Sequence, residues 1–480
     1  MIGSKSDKII DVVLIMFLCA LALAFRSYKI NTPLIEFHSW RQADTAAVAR
    51  NFARDGINLL MPKYDDVSPL QTGIDNPQGY RMVEFPIYNA AIAIAYQIAP
   101  ITSIEVWGRI INTLASIAIL ICIYSIAKLE LNRFAAFTAS LIFAIFPFFV
   151  FYSRAVLPEI PAILFVMLAT VLLIRKQTYL KIFIALSLFA LSILIKPTTI
   201  FYAIVIWYLL IRNNNFSLKK YIISAVVILI TMIPFALWRL YIGQFPEGVP
   251  ASQWLYTHVS SGGELKYIFF RPAFFRWVFY ERLNILILGS FAFVFFVSGV
   301  LSRTKSLLPY ALLLASLTYL FVFQGGNVQH EYYQIIILPT VALFVGFGAS
   351  YFMNIAHSRI RQVITIIVIV VSLGFGWYIS WDKVRHYYYS LSDIPKFAKI
   401  VQMFVGPKDW IIVDTGGDTT ALYAFDRKGS PGIYVGTVEM REKGYKYLFT
   451  YVHETADNLQ KADPKITRLF ENDRCVLLKL

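Results

Sequence analysis

Apolar runs long enough, or nearly long enough, to cross a lipid bilayer recur along most of this chain up to residue 380. A helix that crosses the hydrocarbon core needs about 20 predominantly apolar residues. Because the chain is 58% hydrophobic and only 15% charged, one soluble core cannot bury so much apolar surface, and most of it must face lipid. The sequence therefore predicts an all-α polytopic membrane domain over residues 1–380, followed by a small α/β domain over residues 381–480.

Short basic loops between these runs indicate which side of the membrane each loop faces. The predicted spans are Ile9–Phe25, Arg109–Ala127, Phe134–Phe151, Leu157–Ile174, Leu180–Ile195, Thr198–Ile211, Tyr221–Ile242, Leu283–Leu301, Leu307–Phe323, Tyr332–Met353 and Val363–Ser380. With residues 85–100 interfacial or re-entrant rather than crossing, most of the loop lysines and arginines fall on the side of the amino terminus, as the positive-inside rule requires. We expect about eleven crossings, a cytoplasmic amino terminus, and outer loops at residues 26–108 and 243–282.

After Ser380 the pattern changes to short buried strands that alternate with amphipathic helices. "DWIIVDT" (409–415), "YKYLFTYV" (445–452) and the terminal "RCVLLKL" predict strands, and residues 394–404, 419–425 and 454–461 predict helices. The "DTGGDTT" turn between them has the form of an anion cradle at a helix start, but a plain structural turn is the favoured explanation of a lone Gly-Gly pair. This alternation predicts a small α/β domain, which the topology places outside the cytoplasm.

Charge and cysteine content exclude several classes of function. The net charge of +15 comes mostly from basic residues that flank apolar runs, so it reflects membrane orientation and not a nucleic-acid partner. The three cysteines are far apart and form neither a disulfide framework nor a CxxC metal pattern.

The first outer loop carries a polar helix with an acid near its centre, within "EFHSWRQADTAAVARNF". Ser39 and Gln42 have the spacing of a capping box, which predicts that the helix begins at Trp40. Asp44 then lies on the same stripe as Trp40 and Ala47. An acid on the apolar stripe of a membrane-surface helix either pairs with a cation, here Arg154 or Lys196, or takes part in chemistry.

Further charged residues collect at the predicted outer face. Arg154 and Glu159 flank a short outer turn, where burial near the hydrocarbon favours a mutual ion pair or a polar cavity. Lys196 precedes Pro197 at another outer turn, where it can bind a lipid phosphate or snorkel to the interface.

Two other outer segments add candidate binding residues. "VEFPIYN" places Glu84 and Tyr88 at the start of the 85–100 run, as loop residues or as the lining of a cavity. "QGGNVQHEYYQ" brings His330, Glu331 and Tyr332 to an outer lip, where aromatic residues also form ordinary membrane belts. Aromatic residues around Trp254 and Phe269–Phe279 contact sugar faces or rest on the membrane.

In their order along the chain these segments resemble the GT-C class of membrane glycosyltransferases, and most closely the protein O-mannosyltransferases (family 39) and the lipid A aminoarabinose transferases. The similar segments are the acidic helix "RQADTAAVARNF", "FPIY", "YSRAVLPE", the lysine of "IKP" and "HEYYQIIILP". The resemblance implies a polyprenyl-phosphate sugar donor, an outward-facing site and inverting transfer to a hydroxyl group of a glycan, lipid or protein.

Site roles follow from that resemblance by position. Asp44 matches the catalytic base of the first loop, and Glu159 matches the acid of the second outer loop with Arg154 as its orienting partner. The sequence departs from the family where Glu84 replaces a phosphate-binding lysine, so Lys196, Arg81 or a residue of the second loop would bind the phosphate. Some members of the class use a divalent metal, for which Asp44, Glu159 and His330 are the candidate ligands.

Two other classes of function remain open from the sequence. A transporter or lipid-linked glycan flippase would explain charges within the membrane, but it also predicts inverted repeats, which the sequence lacks. A non-catalytic scaffold would leave Asp44 and Glu159 without a role. A bacterial inner membrane is the expected location, because no endoplasmic-reticulum retrieval signal is visible.

Overall fold

The computed structural model describes residues 5–175, 177–212, 217–250, 272–389 and 393–480, and these form two compact units. The first unit combines residues 1–30, 109–238 and 252–387, and the second combines residues 31–108, 239–251 and 388–480. The first outer loop was predicted to belong to the transmembrane domain, whereas in the structure residues 31–108 group with the carboxy-terminal domain. Trp254 and part of the predicted loop 243–282 lie outside the described residues.

The first unit is built from helices that follow the predicted apolar runs. In chain order they are Lys5–Arg26, Ile104–Glu130, Arg133–Ile145, Pro147–Tyr152, Glu159–Ile174, Tyr179–Ile195, the 3₁₀ turn Pro197–Tyr202, Ala203–Ile211, Leu218–Thr231, Ile233–Ile242, Pro272–Phe275, the π-helix Arg276–Ile287, Phe293–Val300, Leu308–Val322, Gln324–Gln329, the 3₁₀ turn Glu331–Ile337, Leu338–Ile355, Arg359–Val384 and the 3₁₀ turn Arg385–Tyr388. The helices Ile104–Glu130 and Ile233–Ile242 and the last 3₁₀ turn run on into the second unit. Five continuous helical segments in the described chain are long and apolar enough to cross a membrane, and several shorter apolar helices accompany them.

Two runs that were predicted as continuous spans are interrupted. The run Phe134–Phe151 breaks at Phe146, because Pro147 lacks the N–H that would continue the helix and instead begins a new one. The run Leu283–Leu301 breaks between residues 287 and 293, where Gly289 and Ser290 both have positive φ angles, of 55° and 60°. The predictions that these two runs form unbroken helices were wrong, although both runs are apolar and largely helical as predicted.

Small residues let the helices of the first unit approach each other closely. A Cβ atom on Gly348 would overlap the backbone carbonyl of Phe295, and one on Gly299 would overlap that of Phe344. Lipid tails are as apolar as leucine, so packing at such contacts contributes much of the association between helices within a membrane.

The second unit contains a mixed five-stranded sheet with the order β2-β1-β3-β5-β4. The strands are β1 (Trp410–Val413), β2 (Gly429–Ser430), β3 (Tyr445–Thr450), β4 (Thr467–Glu471) and β5 (Val476–Lys479). β1 pairs in parallel with β2 and β3, and β5 pairs antiparallel with β3 and β4. The helices Ile394–Phe404, Thr420–Phe425, Thr437–Glu442 and His453–Ala462 accompany the sheet. The three predicted strands and three predicted helices are therefore present.

The first outer loop joins this sheet directly. Its backbone pairs with β2, because Val67 N donates to Gly429 O at 2.8 Å and Gly429 N donates to Asp65 O at 2.9 Å. The loop also contributes the helix Ser39–Asp55, called here the first-loop helix, and the helix Ile87–Ile98. The latter has 12 residues, about 18 Å, which is too short to cross a bilayer alone.

A network of charged residues fastens the first-loop helix to the carboxy-terminal part of the second unit. Arg50 pairs with Asp65 at 2.5 Å and donates to Tyr423 O at 2.8 Å. Arg54 forms a bidentate pair with Asp426 at 2.6 and 2.7 Å. Bidentate arginine–carboxylate pairs fix geometry well, so this unit holds its helix in one orientation.

Candidate functional site

Asp44 lies in the interior of the second unit, with a donor or cation at each carboxylate oxygen. Its side chain is 0% exposed. Thr419 donates its hydroxyl to Asp44 Oδ1 at 2.7 Å, and Arg81 Nη2 lies 2.8 Å from Asp44 Oδ2. The Arg81 guanidinium also sits over the Tyr64 ring at 5.2 Å. The carboxylate is thus paired and fixed in orientation.

The first-loop helix differs from its prediction in two respects. It begins at Ser39 after His38, which has a left-handed backbone conformation, and no side chain caps its first turn. The capping box was therefore wrong, because the chain enters the helix through His38 instead. The helix is also buried on most of its faces rather than lying on a surface with one apolar stripe, and Arg81 replaces Arg154 or Lys196 as the cation beside Asp44.

A second buried acid, Asp66, belongs to the same unit and was not predicted. Its Oδ1 accepts hydrogen bonds from the backbone N–H and the hydroxyl of Ser68 at 2.8 and 2.6 Å, and the Tyr64 hydroxyl donates to Oδ2 at 3.3 Å. Burial raises the pKa of Asp66 to about 7, and the charge of Asp44 adds to that shift. The two adjacent acids of "KYDDV" are the sequence feature that could have indicated this residue. Their spacing does not show which of the two pairs with a cation, and in the structure Asp65 pairs with Arg50.

Glu84 and Tyr88 belong to the second unit and have structural partners there. Glu84 forms a salt bridge with Arg41 of the first-loop helix. The buried Tyr88 donates its hydroxyl to Gly108 O at 2.9 Å. Glu84 therefore ties the start of the helix Ile87–Ile98 to the first-loop helix, and Tyr88 ties the same helix to the start of the helix Ile104–Glu130.

In the first unit, Glu159 and Lys196 form a buried ion pair with 2.6 Å between Oε1 and Nζ. Glu159 is the first residue of its helix, and Lys196 follows the last residue of the next helix. An acid at a helix amino terminus and a cation at a carboxyl terminus both complement the helix dipoles. Ser192 ties the two helices together by donating to Ala162 O at 2.7 Å.

Arg154 does not pair with Glu159 as the sequence suggested. Its guanidinium donates to Lys29 O at 3.3 Å and sits over the Phe151 ring at 5.9 Å. Asn112 holds the intervening turn, because its side-chain amide donates to Leu157 O at 2.9 Å. Glu159 instead pairs with Lys196, because both residues lie at the ends of neighbouring helices.

Two further arginines, Arg26 and Arg109, are buried in the first unit and were not predicted as site residues. Arg26 donates to Ser153 Oγ at 2.7 Å and to the carbonyls of Phe143 and Ala144 at 2.9 Å. Arg109 donates to Ile30 O at 2.7 Å. Each stands at the edge of an apolar run, where arginine is usually interpreted as an interfacial anchor. Together with Arg154 they make three arginines that are fully buried in this unit.

The predicted outer lip is part of the first unit. The His330 ring stacks on Tyr332 with centroids 5.4 Å apart, and the Lys196 ammonium sits over the Tyr333 ring at 5.6 Å. Glu331 accepts a hydrogen bond from the Tyr387 hydroxyl at 2.8 Å. Among the described residues, no group of three His, Cys, Asp or Glu side chains could hold a metal ion.

Comparison with known proteins identifies the fold. Residues 84–238 match the family described as dolichyl-phosphate-mannose-protein mannosyltransferase. ArnT from Cupriavidus metallidurans, solved with undecaprenyl phosphate bound, superposes with a TM-score of 0.66 at 11% identity over 97% of both chains. The apo oligosaccharyltransferase of Archaeoglobus fulgidus gives a TM-score of 0.62 at 12% identity over 93% of this chain and 70% of that one. No curated protein matches the chain significantly in sequence.

A third match widens the range of relatives that share the fold. The arabinofuranosyltransferase AftD from Mycobacteria gives a TM-score of 0.58 at 13% identity over 97% of this chain and 41% of that one. The chain therefore has the GT-C fold of a multi-pass membrane protein, with a helical membrane domain and a small carboxy-terminal α/β domain. Together with the family match over residues 84–238, these structures confirm the expected resemblance to the GT-C class.

Proposed function

We propose that the protein transfers a sugar from a polyprenyl-phosphate donor to a hydroxyl acceptor on the outer face of the membrane. The fold is shared over 97% of the chain with ArnT bound to undecaprenyl phosphate. Another neighbour, AglB from Archaeoglobus fulgidus, was solved with an inhibitory peptide and a dolichol-phosphate. These relatives support a lipid-linked donor for this chain, and the family match over residues 84–238 supports sugar transfer.

Asp44 acts as the base in this proposal, and its fixed carboxylate is the observation that carries it. In one inverting displacement, the acceptor oxygen bonds to the anomeric carbon while the bond from that carbon to the phosphate oxygen breaks. The acceptor proton passes to Asp44, and the phosphate leaves on the prenyl chain. A positioned base contributes about 10²–10⁴-fold to such a reaction, and Thr419 and Arg81 hold Asp44 in one orientation.

The departing phosphate needs positive charge rather than a general acid, because it is a good leaving group. Lys196 and Arg154 are the proposed cations, and the ion pair to Glu159 fixes the position of Lys196. Charge that is fixed before reaction stabilises the transition state without reorganisation. The lip residues His330, Glu331 and Tyr332 are proposed to line the substrate side of the first unit, and Glu84 and Tyr88 to support the first-loop helix.

Donor turnover tests this proposal directly. Purified protein in detergent is incubated with undecaprenyl-phosphate sugars that differ in the sugar, together with membrane extracts as a source of acceptor. The account predicts release of undecaprenyl phosphate with at least one donor. Movement of the intact donor across a liposome bilayer without cleavage would instead favour the flippase, and no cleavage of any donor would contradict the proposal.

The membrane orientation is part of the same proposal. We place the amino terminus in the cytoplasm and Asp44 on the outer side of a bacterial inner membrane. Single cysteines at exposed positions such as Leu60 and Val438 should react with a membrane-impermeant maleimide in intact spheroplasts. Labelling of these positions only after lysis would contradict the orientation.

A further inference from the structure

The "DTGGDTT" turn of the carboxy-terminal domain contacts the proposed base. Thr419, at its end, is 3% exposed, and its hydroxyl lies 2.7 Å from Asp44 Oδ1 and 3.4 Å from Trp40 O. The residues that meet here are 375 positions apart in the sequence. Since an ionised carboxylate only accepts hydrogen bonds, the hydroxyl proton of Thr419 must point at Asp44.

The turn that carries Thr419 is held in place by its own hydrogen bonds. Thr415 donates its hydroxyl to Asp418 O at 2.7 Å, and Asp418 accepts from the Thr420 N–H at 2.8 Å. Gly416 and Gly417 have φ angles of 64° and 100°, which favour glycine, so the chain can reverse here without strain. Thr419 is therefore presented from a defined backbone.

The two oxygens of Asp44 have different surroundings. Oδ1 receives the Thr419 hydroxyl, and Oδ2 faces the Arg81 guanidinium, so the plane of the carboxylate is set from both sides. Without the Thr419 hydroxyl, Oδ1 loses its described hydrogen bond, while Oδ2 keeps its ion pair with Arg81. The carboxylate can then rotate towards Arg81. A base that has rotated no longer meets the acceptor hydroxyl at the angle that proton transfer needs.

We propose that Thr419 is a positioning residue that orients Asp44 for proton acceptance, so that the carboxy-terminal domain is part of the catalytic machinery. This inference rests on the proposed function and deepens it. Thr419 does not touch the reacting atoms, and its effect on rate passes through Asp44.

Three variants test the role of Thr419. Thr419→Val keeps the shape but removes the donor, Thr419→Ser keeps the donor, and Thr420→Val removes the neighbouring hydroxyl, which bonds to Ser39 Oγ at 2.9 Å, as a matched control. Thr419→Val should lower kcat by on the order of 10–10²-fold with little change in the KM for the donor. Thr419→Ser should retain most of kcat, and Thr420→Val should lie near the wild type.

These measurements distinguish a failure of the positioning role of Thr419 from a failure of the proposed function. Three results would each overturn the positioning role alone. The first is an equal loss of kcat in Thr419→Val and Thr419→Ser, and the second is an equal loss in Thr419→Val and Thr420→Val. The third is a near-normal kcat in Thr419→Val. Absence of donor cleavage by the wild type would overturn the proposed function and this inference with it. Thermal unfolding of all variants shows whether a loss of kcat follows a loss of folded protein.

Discussion

Asp66 should make the second unit less stable as pH rises, whereas a typical paired aspartate makes a protein more stable as pH rises. Its side chain is 0% exposed, and burial raises its pKa from 3.8 to about 7. Between these values the folded chain keeps a proton that the unfolded chain has lost, so the free energy of unfolding falls as pH rises. At about 1.4 kcal/mol per pKa unit, the loss reaches about 1 kcal/mol at pH 4.5 and about 4 kcal/mol above pH 7.

Replacing Asp66 with Asn removes this cost while keeping the shape and the acceptor for Ser68. The difference in stability between Asp66→Asn and the wild type should therefore shift by about 3 kcal/mol in favour of the variant between pH 4.5 and pH 8. Burial and the charge of Asp44 both raise the pKa of Asp66. Burial and the charge of Asp66 in turn raise the pKa of three tyrosines, Tyr64, Tyr434 and Tyr445. Burial raises the pKa of Tyr64 well above its usual value, so it remains a donor over this range.

Thermal unfolding in detergent, followed by tryptophan fluorescence at several pH values, measures the effect. For a unit of 150–250 residues, a shift of about 3 kcal/mol corresponds to on the order of 10 °C in the Tm difference. Asp473→Asn is the matched control, because that side chain is 83% exposed in the same unit. A Tm difference for Asp66→Asn that does not change with pH, or that changes as much for Asp473→Asn, would refute the reasoning.

Two further predictions concern the first unit, and thermal unfolding in detergent tests both. Glu159→Gln or Lys196→Met leaves a buried charged partner uncompensated and should lower the free energy of unfolding by about 3–5 kcal/mol. The double variant should lose less than the sum of the two single losses, and additive losses would show that the pair is not coupled. Gly348→Ala should destabilise by about 1–3 kcal/mol, because its Cβ would overlap Phe295 O. Gly374→Ala, with open space around its Cβ, should cost little, and equal effects of the two would contradict the packing argument.

The fold could be predicted well wherever local pattern decides the structure. The helix predicted around residues 394–404 extends from Ile394 to Phe404, and its buried apolar residues have helical spacing. The strands β2 and β4 were missed: β2 has only two residues, and β4 is an edge strand that carries charges at Arg468 and Glu471. Such strands are defined by their neighbours and not by their own sequence.

The candidate site was predictable only in part, because its contacts join distant segments. Asp44 stood out because it was predicted on the apolar stripe of a polar helix, and in the structure it is buried beside a cation. Its partners Arg81 and Thr419 could not be derived from spacing. Glu159 was likewise identified correctly as a buried acid, but its partner Lys196 was assigned a different role, because two helix ends meet only in the folded unit.

The rate of sugar transfer by Asp44→Asn, measured under single-turnover conditions with a labelled polyprenyl-phosphate donor, tests the central claim most directly. Asparagine has nearly the same shape and can still bond to Thr419, but it cannot accept the acceptor proton. The account predicts that the variant binds the donor with an unchanged Kd and transfers sugar about 10²–10⁴-fold more slowly than the wild type. Transfer at the wild-type rate by this variant would contradict the assignment of Asp44 as the base.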